Sequence, residues 1–301
     1  MLLFSGRANE PLGRAVAAAL GIAPGRCLIE NFPDGEVRVQ VEEDVQGRDI
    51  YLLQPTCPPV AARLLELLLI ADGCRKAGAR RLTGIVPYYG YARQDRRSRS
   101  GEPLAARLLA DLLCTRLDRL VLTDLHNPAI EGFFAVAVEQ LSAVPLLAEG
   151  LRPGLSAAHI LVAPDQGAVK LAQGYADRLG LDIAYVHKER QSGTRVAIRR
   201  LIGEVAGRKP VIVDDMISTG GTVASTIEML LAKGCRPEVI LVASHALLVG
   251  QAAERLAGLP VLRLITTDSL PQPLSRPFSV EVLSLAPLLA ETVTRLHRGA
   301  P

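Results

Sequence analysis

One segment of the sequence gathers residue types that together can hold a phosphorylated sugar. It runs from Val211 to Val223 as VIVDDMISTGGTV, so an apolar run leads to two carboxylates and then to hydroxyl and glycine residues. Glycines allow the backbone to approach an anion closely. The N–H groups at the start of a following helix then point at the anion, and the helix dipole favours it. The segment therefore predicts a site for ribose 5-phosphate.

The acidic pair of this segment, Asp214 and Asp215, can act in two ways. Carboxylates accept hydrogen bonds from vicinal ribose hydroxyls, and they also hold magnesium (Mg²⁺), because hard cations prefer oxygen ligands. The phosphate would be bound by the loop that follows, which consists of Ser218, Thr219, Gly220, Gly221 and Thr222. A purely structural interpretation stays open at this point, since Asp also ends strands and Ser also begins helices.

Four further polar loops follow predicted strands elsewhere in the chain. They are Pro87–Arg96, Thr123–His126, Ala163–Ala168 and His187–Arg190. Ligands of open α/β sheets bind beyond the carboxyl ends of the strands, so loops of this kind indicate one convergent site. In the second loop, Asp124 and His126 are expected on the same side of an extended segment.

These loops require an α/β scaffold, and the patterning of the chain predicts one. Apolar runs predict strands at Leu2–Phe4, Val37–Val41, Ile50–Leu53, Leu82–Ile85, Arg119–Leu122, His159–Val162, Ile183–Val186, Lys209–Val213 and Val239–Ala243. Helical patterns lie at Pro11–Leu20, Pro59–Lys76, Leu104–Cys114, Val169–Leu179 and Val223–Lys233. Because strands and helices alternate through short connections, we expect an α/β fold with mostly parallel sheets.

The order of strand, helix and strand runs twice along the chain, which predicts two similar domains. The first covers residues 1–143, and the second covers residues 144–283 and carries the ribose 5-phosphate loop. The turn-rich stretch Ala148–Ser156 is the expected boundary region. Residues 284–301 contain a last predicted helix, near Ala286–His297, which is expected to pack back on the first domain.

Composition excludes several classes of protein. With 301 residues, of which 49% are hydrophobic, the chain can build substantial cores, and its net charge of +3 is too small to suggest nucleic acid as the main partner. The five cysteines stand singly, which argues against a disulfide framework and a zinc site and fits a reducing cytoplasm. An apolar stretch of about 18 residues would be needed to span a membrane, and none is found.

Taken together, the motifs resemble those of the ribose-phosphate pyrophosphokinases, also called phosphoribosyl-pyrophosphate synthetases. The resemblance covers nearly the whole chain and includes Phe4–Gly6, Phe32–Glu36, Tyr91–Asp95, Asp124–His126, Gly132–Phe134, Ala163–Asp165, Lys188–Arg190 and Asp214–Thr222 in the family's order. It implies two domains of the type I phosphoribosyltransferase kind. It also implies transfer of the β,γ-diphosphoryl group of ATP to the 1-hydroxyl of ribose 5-phosphate, which gives 5-phosphoribosyl 1-diphosphate and AMP.

The resemblance also implies roles for individual residues. ATP would be bound by Phe32, Asp34, Gly35, Glu36, Arg93, Gln94 and Asp95, although ordinary core packing remains an alternative for Phe32. Lys188 and Arg190 would stabilise the transferring group from a polar loop that runs through about Arg195. Magnesium is the implied cofactor, in contact with His126 and Asp165, and Asp124 is a further candidate ligand.

The resemblance implies a partner as well as substrates. In the family, the loop that corresponds to Phe32–Glu36 completes the ATP site of a neighbouring subunit, so we expect a homo-oligomer with shared ATP sites. Two other functions remain open on the residues alone. The chain could be a phosphoribosyltransferase that consumes the diphosphate, or a regulatory homologue without catalytic activity.

Overall fold

The computed structural model describes residues 1–190, 197–273 and 277–299 of the chain. It divides into two compact units. The first unit contains Met1–Ser142, Ser269–Pro271 and Ser284–Pro301, and the second contains Ala143–Asp268 and Gln272–Leu283. Each unit is built around a mainly parallel sheet with helices between its strands, so the predicted α/β fold class is confirmed.

The first unit is organised by a five-stranded parallel sheet whose order is β1-β4-β5-β6-β7. The strands are β1 (Leu2–Ser5), β4 (Asp49–Leu53), β5 (Arg81–Val86), β6 (Arg119–Thr123) and β7 (Ala137–Leu141). Two further strands, β2 (Cys27–Asn31) and β3 (Val37–Val41), form a separate antiparallel hairpin. Every residue of β4 is buried, as expected for a parallel strand that is covered on both faces.

Helices α1 (Glu10–Leu20), α2 (Val60–Lys76) and α3 (Ala105–Cys114) belong to the first unit, together with a 3-10 helix at Pro128–Phe133. The last helix of the chain, α8 (Ala286–His297), also belongs to it and packs against α1. The hydroxyl of Tyr51 in β4 donates to the carbonyl of Val293 at 3.4 Å, and Arg295 pairs with Glu139. These contacts join α8 to the sheet of the same unit.

The second unit has a seven-stranded sheet whose order is β10-β9-β8-β11-β12-β13-β14, in which only β10 runs antiparallel to its neighbour. The strands are β8 (His159–Ala163), β9 (Ile183–Arg190), β10 (Ala197–Ile202), β11 (Lys209–Ile217), β12 (Val239–Ala246), β13 (Val261–Thr267) and β14 (Ser279–Leu283). Its helices are α4 (Val144–Leu151), α5 (Val169–Leu179), α6 (Gly221–Ala232) and α7 (Ala252–Ala257). In the part of the chain that the structure describes, no helix is long and apolar enough to cross a membrane.

Several elements had no counterpart in the sequence prediction. They are β2, β7, β10, β13, β14, α4 and α7. The prediction that Ala148–Ser156 consists of turns is also partly wrong, because residues 148–151 form the C-terminal end of helix α4. Leu147, Ala148 and Leu151 form the buried side of that helix, at helical spacing. Burial of this apolar stripe outweighs the turn-forming tendency of the Gly150 that lies within it.

Candidate functional site

The acidic pair lies inside a strand rather than after it. The prediction ended the strand at Val213, but β11 continues to Ile217, because Met216 and Ile217 pair with β12. Asp214 and Asp215 are half-buried near the carboxyl end of β11, and Asp214 Oδ1 accepts the backbone N–H of Asp215 at 3.0 Å. The sheet ladder therefore fixes the backbone that carries both carboxylates.

Three carboxyl groups crowd this end of the sheet. Burial raises the pKa of Asp214 well above its ordinary value, and the negative charges of Asp215 and Asp165 raise that pKa further. Asp165 belongs to the turn after β8, the strand that pairs with β11. The site thus holds negative charge that a cation, or hydroxyl donors from a sugar, would relieve.

This raised pKa predicts that the carboxyl of Asp214 destabilises the unliganded fold at neutral pH. The folded state loses stability as pH rises from the ordinary carboxyl pKa of about 4 through the raised pKa of Asp214. We expect Asp214→Asn to melt at a higher temperature than the wild type at pH 7.5 without metal or substrate. The difference should shrink toward pH 4 in thermal unfolding measurements across this range.

A matched control for this prediction is Asp177→Asn. Asp177 is exposed on α5 and accepts a hydrogen bond from Gln173 at 2.7 Å. Its loss should change the melting temperature little at any pH, because exposed charges contribute little to stability. A wild type more stable than Asp214→Asn at pH 7.5 would contradict the proposed charge crowding.

The predicted phosphate loop joins β11 to α6. Gly220 adopts a left-handed conformation with φ of +72°, and Gly221 begins the helix. The carbonyl of Gly220 accepts the N–H of Ala224 at 2.9 Å, which closes the first helical turn. The N–H groups that precede this bond have no acceptor within a helix, so they are available to an anion. The loop has the geometry of a phosphate-binding helix start.

Contacts from the loop after β12 and from helix α7 hold this loop in place. The N–H groups of Leu248 and Val249 donate to the carbonyls of Ile217 and Ser218, both at 3.0 Å. The guanidinium of Arg255 in α7 donates to the carbonyl of Thr219. Sequence reasoning missed Arg255, because it lies 36 residues from its partner in a helix that had not been predicted.

Asp165 is oriented by its own turn. Its Oδ1 accepts the N–H groups of Gly167 at 2.9 Å and Ala168 at 3.3 Å. A side chain at position 167 would place Cβ 3.2 Å from that oxygen, which is a tight contact. The turn therefore fixes the direction of the carboxylate at the carboxyl end of β8.

Lys188 and Arg190 lie at the end of strand β9, so the prediction of a loop at these positions was wrong. The hairpin formed by β9 and β10 is the arm that carries both residues. Strand β9 runs to Arg190 and pairs with β10 as an antiparallel hairpin, with Lys188 opposite Arg199. The polar sequence concealed this strand, whose end pairs through the backbone with β10. The remainder of the predicted loop, residues 191–196, lies outside the described residues.

In the first unit, Phe32–Glu36 forms the tip of the hairpin β2–β3. Phe32 N–H donates to the carbonyl of Glu36 at 2.8 Å, and Gly35 turns the chain with φ of +92°. Asp34 Oδ1 accepts the N–H of Glu36 at 3.0 Å. Phe32 is 46% exposed, which excludes the core-packing alternative for its ring. An exposed aromatic ring on a braced tip can stack on a planar ligand.

The predicted residues Arg93, Gln94 and Asp95 follow β5 in the first unit. Arg93 and Gln94 are exposed, and the preceding Tyr91 has a φ of +59°. Asn127 Nδ2 donates to Asp95 Oδ2 at 2.7 Å. This bond joins the loop after β5 to the loop after β6, so the structure brings two of the predicted motifs together.

The loop after β6 differs from its prediction. Asp124 has a φ of +39°, so the backbone is not extended there, and the expected alternation that would align Asp124 with His126 is wrong. His126 is exposed and Asp124 is half-buried. Residues other than glycine with positive φ are strained and cluster at functional sites. The described residues include three non-glycine positions with positive φ, and each lies in a loop that follows a strand: Tyr91, Asp124 and Leu248.

The carboxylates at the carboxyl ends of β8 and β11 are of a type that fits magnesium, because this hard cation prefers oxygen ligands. Among the described residues, no group of three or more His, Cys, Asp and Glu side chains is gathered to hold a metal alone. Magnesium is commonly bound by one or two carboxylates, with the remaining ligands from phosphates and water. The crowded Asp165, Asp214 and Asp215 provide such oxygen donors.

Comparison with known proteins agrees with this geometry. A family model described as the N-terminal domain of ribose phosphate pyrophosphokinase matches residues 1–116, and the phosphoribosyl transferase domain matches residues 156–257. The fold and the loop after β11 thus define a protein of the phosphoribosyltransferase class. The match of residues 1–116 to the N-terminal domain of ribose phosphate pyrophosphokinase specifies one family within this class. The chain belongs to the ribose-phosphate pyrophosphokinase family.

Similar proteins cover the chain from end to end. A ribose-phosphate pyrophosphokinase of Gloeobacter violaceus is 39% identical over 99% of this chain and 90% of its own length. One of Ralstonia nicotianae is 39% identical over 99% of this chain and 96% of its own length. A crystal structure of phosphoribosylpyrophosphate synthetase from Mycobacterium smegmatis matches with a TM-score of 0.92 and 37% identity, over 99% of both chains.

Proposed function

We propose that this chain is a ribose-phosphate diphosphokinase that makes 5-phosphoribosyl 1-diphosphate and AMP from ATP and ribose 5-phosphate. The observation that carries the proposal is the presence of both family domains in one chain that relatives match end to end. A phosphoribosyltransferase would require the loop after β11 but not the N-terminal domain. A regulatory homologue is disfavoured, because the relatives are pyrophosphokinases and the predicted catalytic residues are present.

Ribose 5-phosphate is bound by the segment around the carboxyl end of β11. Its phosphate accepts hydrogen bonds from N–H groups at the start of α6, where the exposed Gly221 has no side chain to block the approach. Asp214 and Asp215 accept hydrogen bonds from the ribose hydroxyls. The raised pKa of Asp214 supports this role, because hydroxyl donors would relieve its unfavourable burial.

ATP is bound by residues of the first unit, with the hairpin tip supplied by a neighbouring subunit as proposed below. The exposed ring of Phe32 stacks on adenine, and the hairpin tip that carries Asp34, Gly35 and Glu36 provides polar contacts. The exposed side chains of Arg93 and Gln94 reach the phosphates. The carboxylate of Asp95 accepts a hydrogen bond from Asn127 and thereby fixes this loop. The same carboxylate would make the contact of Asp95 with ATP.

The reaction is a displacement at the β-phosphorus. The 1-hydroxyl oxygen of ribose 5-phosphate forms a bond to that phosphorus while the bond to the oxygen bridging the α- and β-phosphorus breaks. AMP leaves with the bridging oxygen, and the proton of the hydroxyl is released. Such transfers depend on positioning and on neutralising the equatorial oxygens, which is the role proposed for Lys188 and Arg190.

Magnesium is the proposed cofactor, and when bound it would neutralise negative charge on the phosphates. In the second unit, Asp165 is the proposed contact, because its own turn orients its carboxylate. In the first unit, His126 and Asp124 are the proposed contacts, at the strained loop after β6. Each of these two sets would hold magnesium-bound phosphates on its own unit.

The direct test uses phosphorus NMR to detect the products that the purified chain forms from ATP and ribose 5-phosphate. The reaction contains magnesium and no nucleobase. We expect equimolar 5-phosphoribosyl 1-diphosphate and AMP. A chelator in excess should abolish turnover, and added magnesium should restore it, because the charge of the triphosphate must be neutralised. Release of inorganic phosphate and ADP, or the need for a nucleobase, would refute the assignment. Full turnover without divalent metal would refute the proposed cofactor.

We also propose a homo-oligomer in which the hairpin tip Phe32–Glu36 contributes to the ATP site of a neighbouring subunit. Asp34→Ala and Lys188→Ala chains should each have little activity alone. After they are mixed and allowed to exchange subunits, activity should partly return, because some sites regain both residues. The exposure of Phe32 on a single chain supports this arrangement. An active monomer in light scattering would exclude it.

A further inference from the structure

A side-chain hydrogen bond joins the turn after β8 to the catalytic arm. Gln166 follows Asp165 in that turn, and its Nε2 lies 2.5 Å from Nδ1 of His187 in β9. His187 directly precedes Lys188. The bond therefore connects a residue next to the proposed phosphate and metal contact with a residue next to the proposed catalytic cation.

The position of this bond along β9 gives it mechanical importance. The backbone ladder between β8 and β9 ends at the pair Ala163 and Tyr185, while β9 continues to Arg190. Beyond Tyr185, the backbone pairing described for β9 is with β10 alone. The Gln166–His187 bond thus links the two strands beyond the last pair of their ladder, at the base of the arm.

The turn on the other side of the bond is rigid. Asp165 Oδ1 accepts two backbone N–H groups, and the carbonyl of Gln166 accepts the N–H of Val169 at 3.3 Å. His187 is half-buried, so its ring is also confined by packing. The Gln166 side chain itself is exposed, but its backbone is fixed, so less entropy is lost when this bond forms than when two side chains on mobile backbone pair.

We propose that Gln166 and His187 are positioning residues, which anchor the base of the arm to the Asp165 turn and thereby set the position of Lys188 for the transfer. This inference rests on the proposed function. Neither residue has to touch a substrate in this role. Misplacement of a catalytic group by about 1 Å can reduce the rate by as much as 10²-fold, so loss of an anchor should appear in kcat.

The chemistry of the pair specifies which atom carries the proton. An amide NH₂ group only donates, so Nδ1 of His187 accepts and the neutral ring has its proton on Nε2.

The kinetic test uses full-length variants in the assay for the diphosphate product. Gln166→Ala and His187→Phe, which keeps a ring but removes the acceptor, should each lower kcat about tenfold with KM for ribose 5-phosphate within about twofold. The double variant should be no slower than either single variant, because both remove one bond. His187→Asn places an amide near the position of Nδ1 and should retain most of kcat.

A control and a second measurement separate this role from general damage. Gln173→Ala removes an exposed glutamine that donates to Asp177 at 2.7 Å in the same unit, and it should leave kcat unchanged. Imidazole nitrogen NMR should show His187 with its proton on Nε2 in the wild type. In Gln166→Ala, the same ring should change to a mixture of tautomers. This signal does not require turnover.

The outcomes distinguish the inference from the function on which it rests. An active wild type with unchanged kcat in Gln166→Ala or His187→Phe would overturn the anchor alone. Independent, multiplicative losses in the double variant, or a His187→Asn variant as slow as His187→Phe, would also overturn it. A wild type that makes no diphosphate product would overturn the proposed function and the anchor with it, whatever the NMR signal.

Discussion

Replacement of Lys188 by alanine is expected to lower kcat by about 10²-fold, or about 2.7 kcal/mol, which is the scale of losing one preorganised donor. The diphosphoryl group gathers negative charge on its equatorial oxygens as it transfers. A cation that the arm places next to this developing charge stabilises the transition state more than the ground state. KM for ribose 5-phosphate should change little, since the loop after β11 binds that ligand. Steady-state kinetics with both substrates varied measures both values.

The control for this prediction is Arg200→Ala. Arg200 is an exposed cation on β10, opposite His187 in the same hairpin, so its loss removes charge from the arm without removing the proposed catalytic groups. Its kcat should remain within about twofold of the wild type, as expected for an exposed surface charge.

Arg190→Ala should behave like Lys188→Ala, and the double variant should lose less than the sum, because both residues act on one charge. If Lys188→Ala raised KM alone and left kcat intact, Lys188 would be a binding group and its proposed role would be wrong.

Local patterns were sufficient to predict the parts of the fold that position the site. The strands that became β5, β6, β8 and β11 are apolar runs, because they are buried on both faces of parallel sheets. The loop after β11 was predicted from consecutive residues, since a phosphate loop is built from one short segment.

Elements with little apolar signal could not be predicted from the sequence. Strand β10 and the end of β9 are held by mutual backbone pairing, and their polar residues resemble a loop. Strand β2 ends in Glu30 and Asn31, which are exposed, so its apolar run was too short to identify. In both hairpins, the partner strand and not the local sequence stabilises the conformation.

Contacts between residues that are distant along the chain could not be predicted from the sequence either. Asp95 meets Asn127 across 32 positions, and Gln166 meets His187 across 21. The positive φ of Asp124 likewise depends on its surroundings, including the bond from its N–H to the carbonyl of Leu141 at 3.0 Å. Residue types can suggest that a polar loop is functional, but which partners fix it depends on the order of strands in the sheet.

The second large effect is expected at the phosphate loop, where Gly221→Val should raise KM for ribose 5-phosphate at least tenfold, or about 1.4 kcal/mol. A Cβ at Gly221 would have Thr219 Oγ1 as its nearest neighbour, at 3.8 Å, so the unliganded fold has room for a side chain. The added side chain instead occupies space at the start of α6, which the phosphate requires. KM for ATP should remain close to the wild-type value.

Comparison with the neighbouring glycine separates ligand exclusion from damage to the fold. Gly220 has a φ of +72°, so Gly220→Ala should destabilise the chain by about 1 kcal/mol through backbone strain, and its melting temperature should fall. Gly221→Val should melt near the wild-type temperature without ligand, yet ribose 5-phosphate should stabilise it less, because ligand stabilisation follows affinity. If Gly221→Val bound ribose 5-phosphate normally, or lost as much stability as Gly220→Ala, the loop would have a structural role and the phosphate would be bound elsewhere.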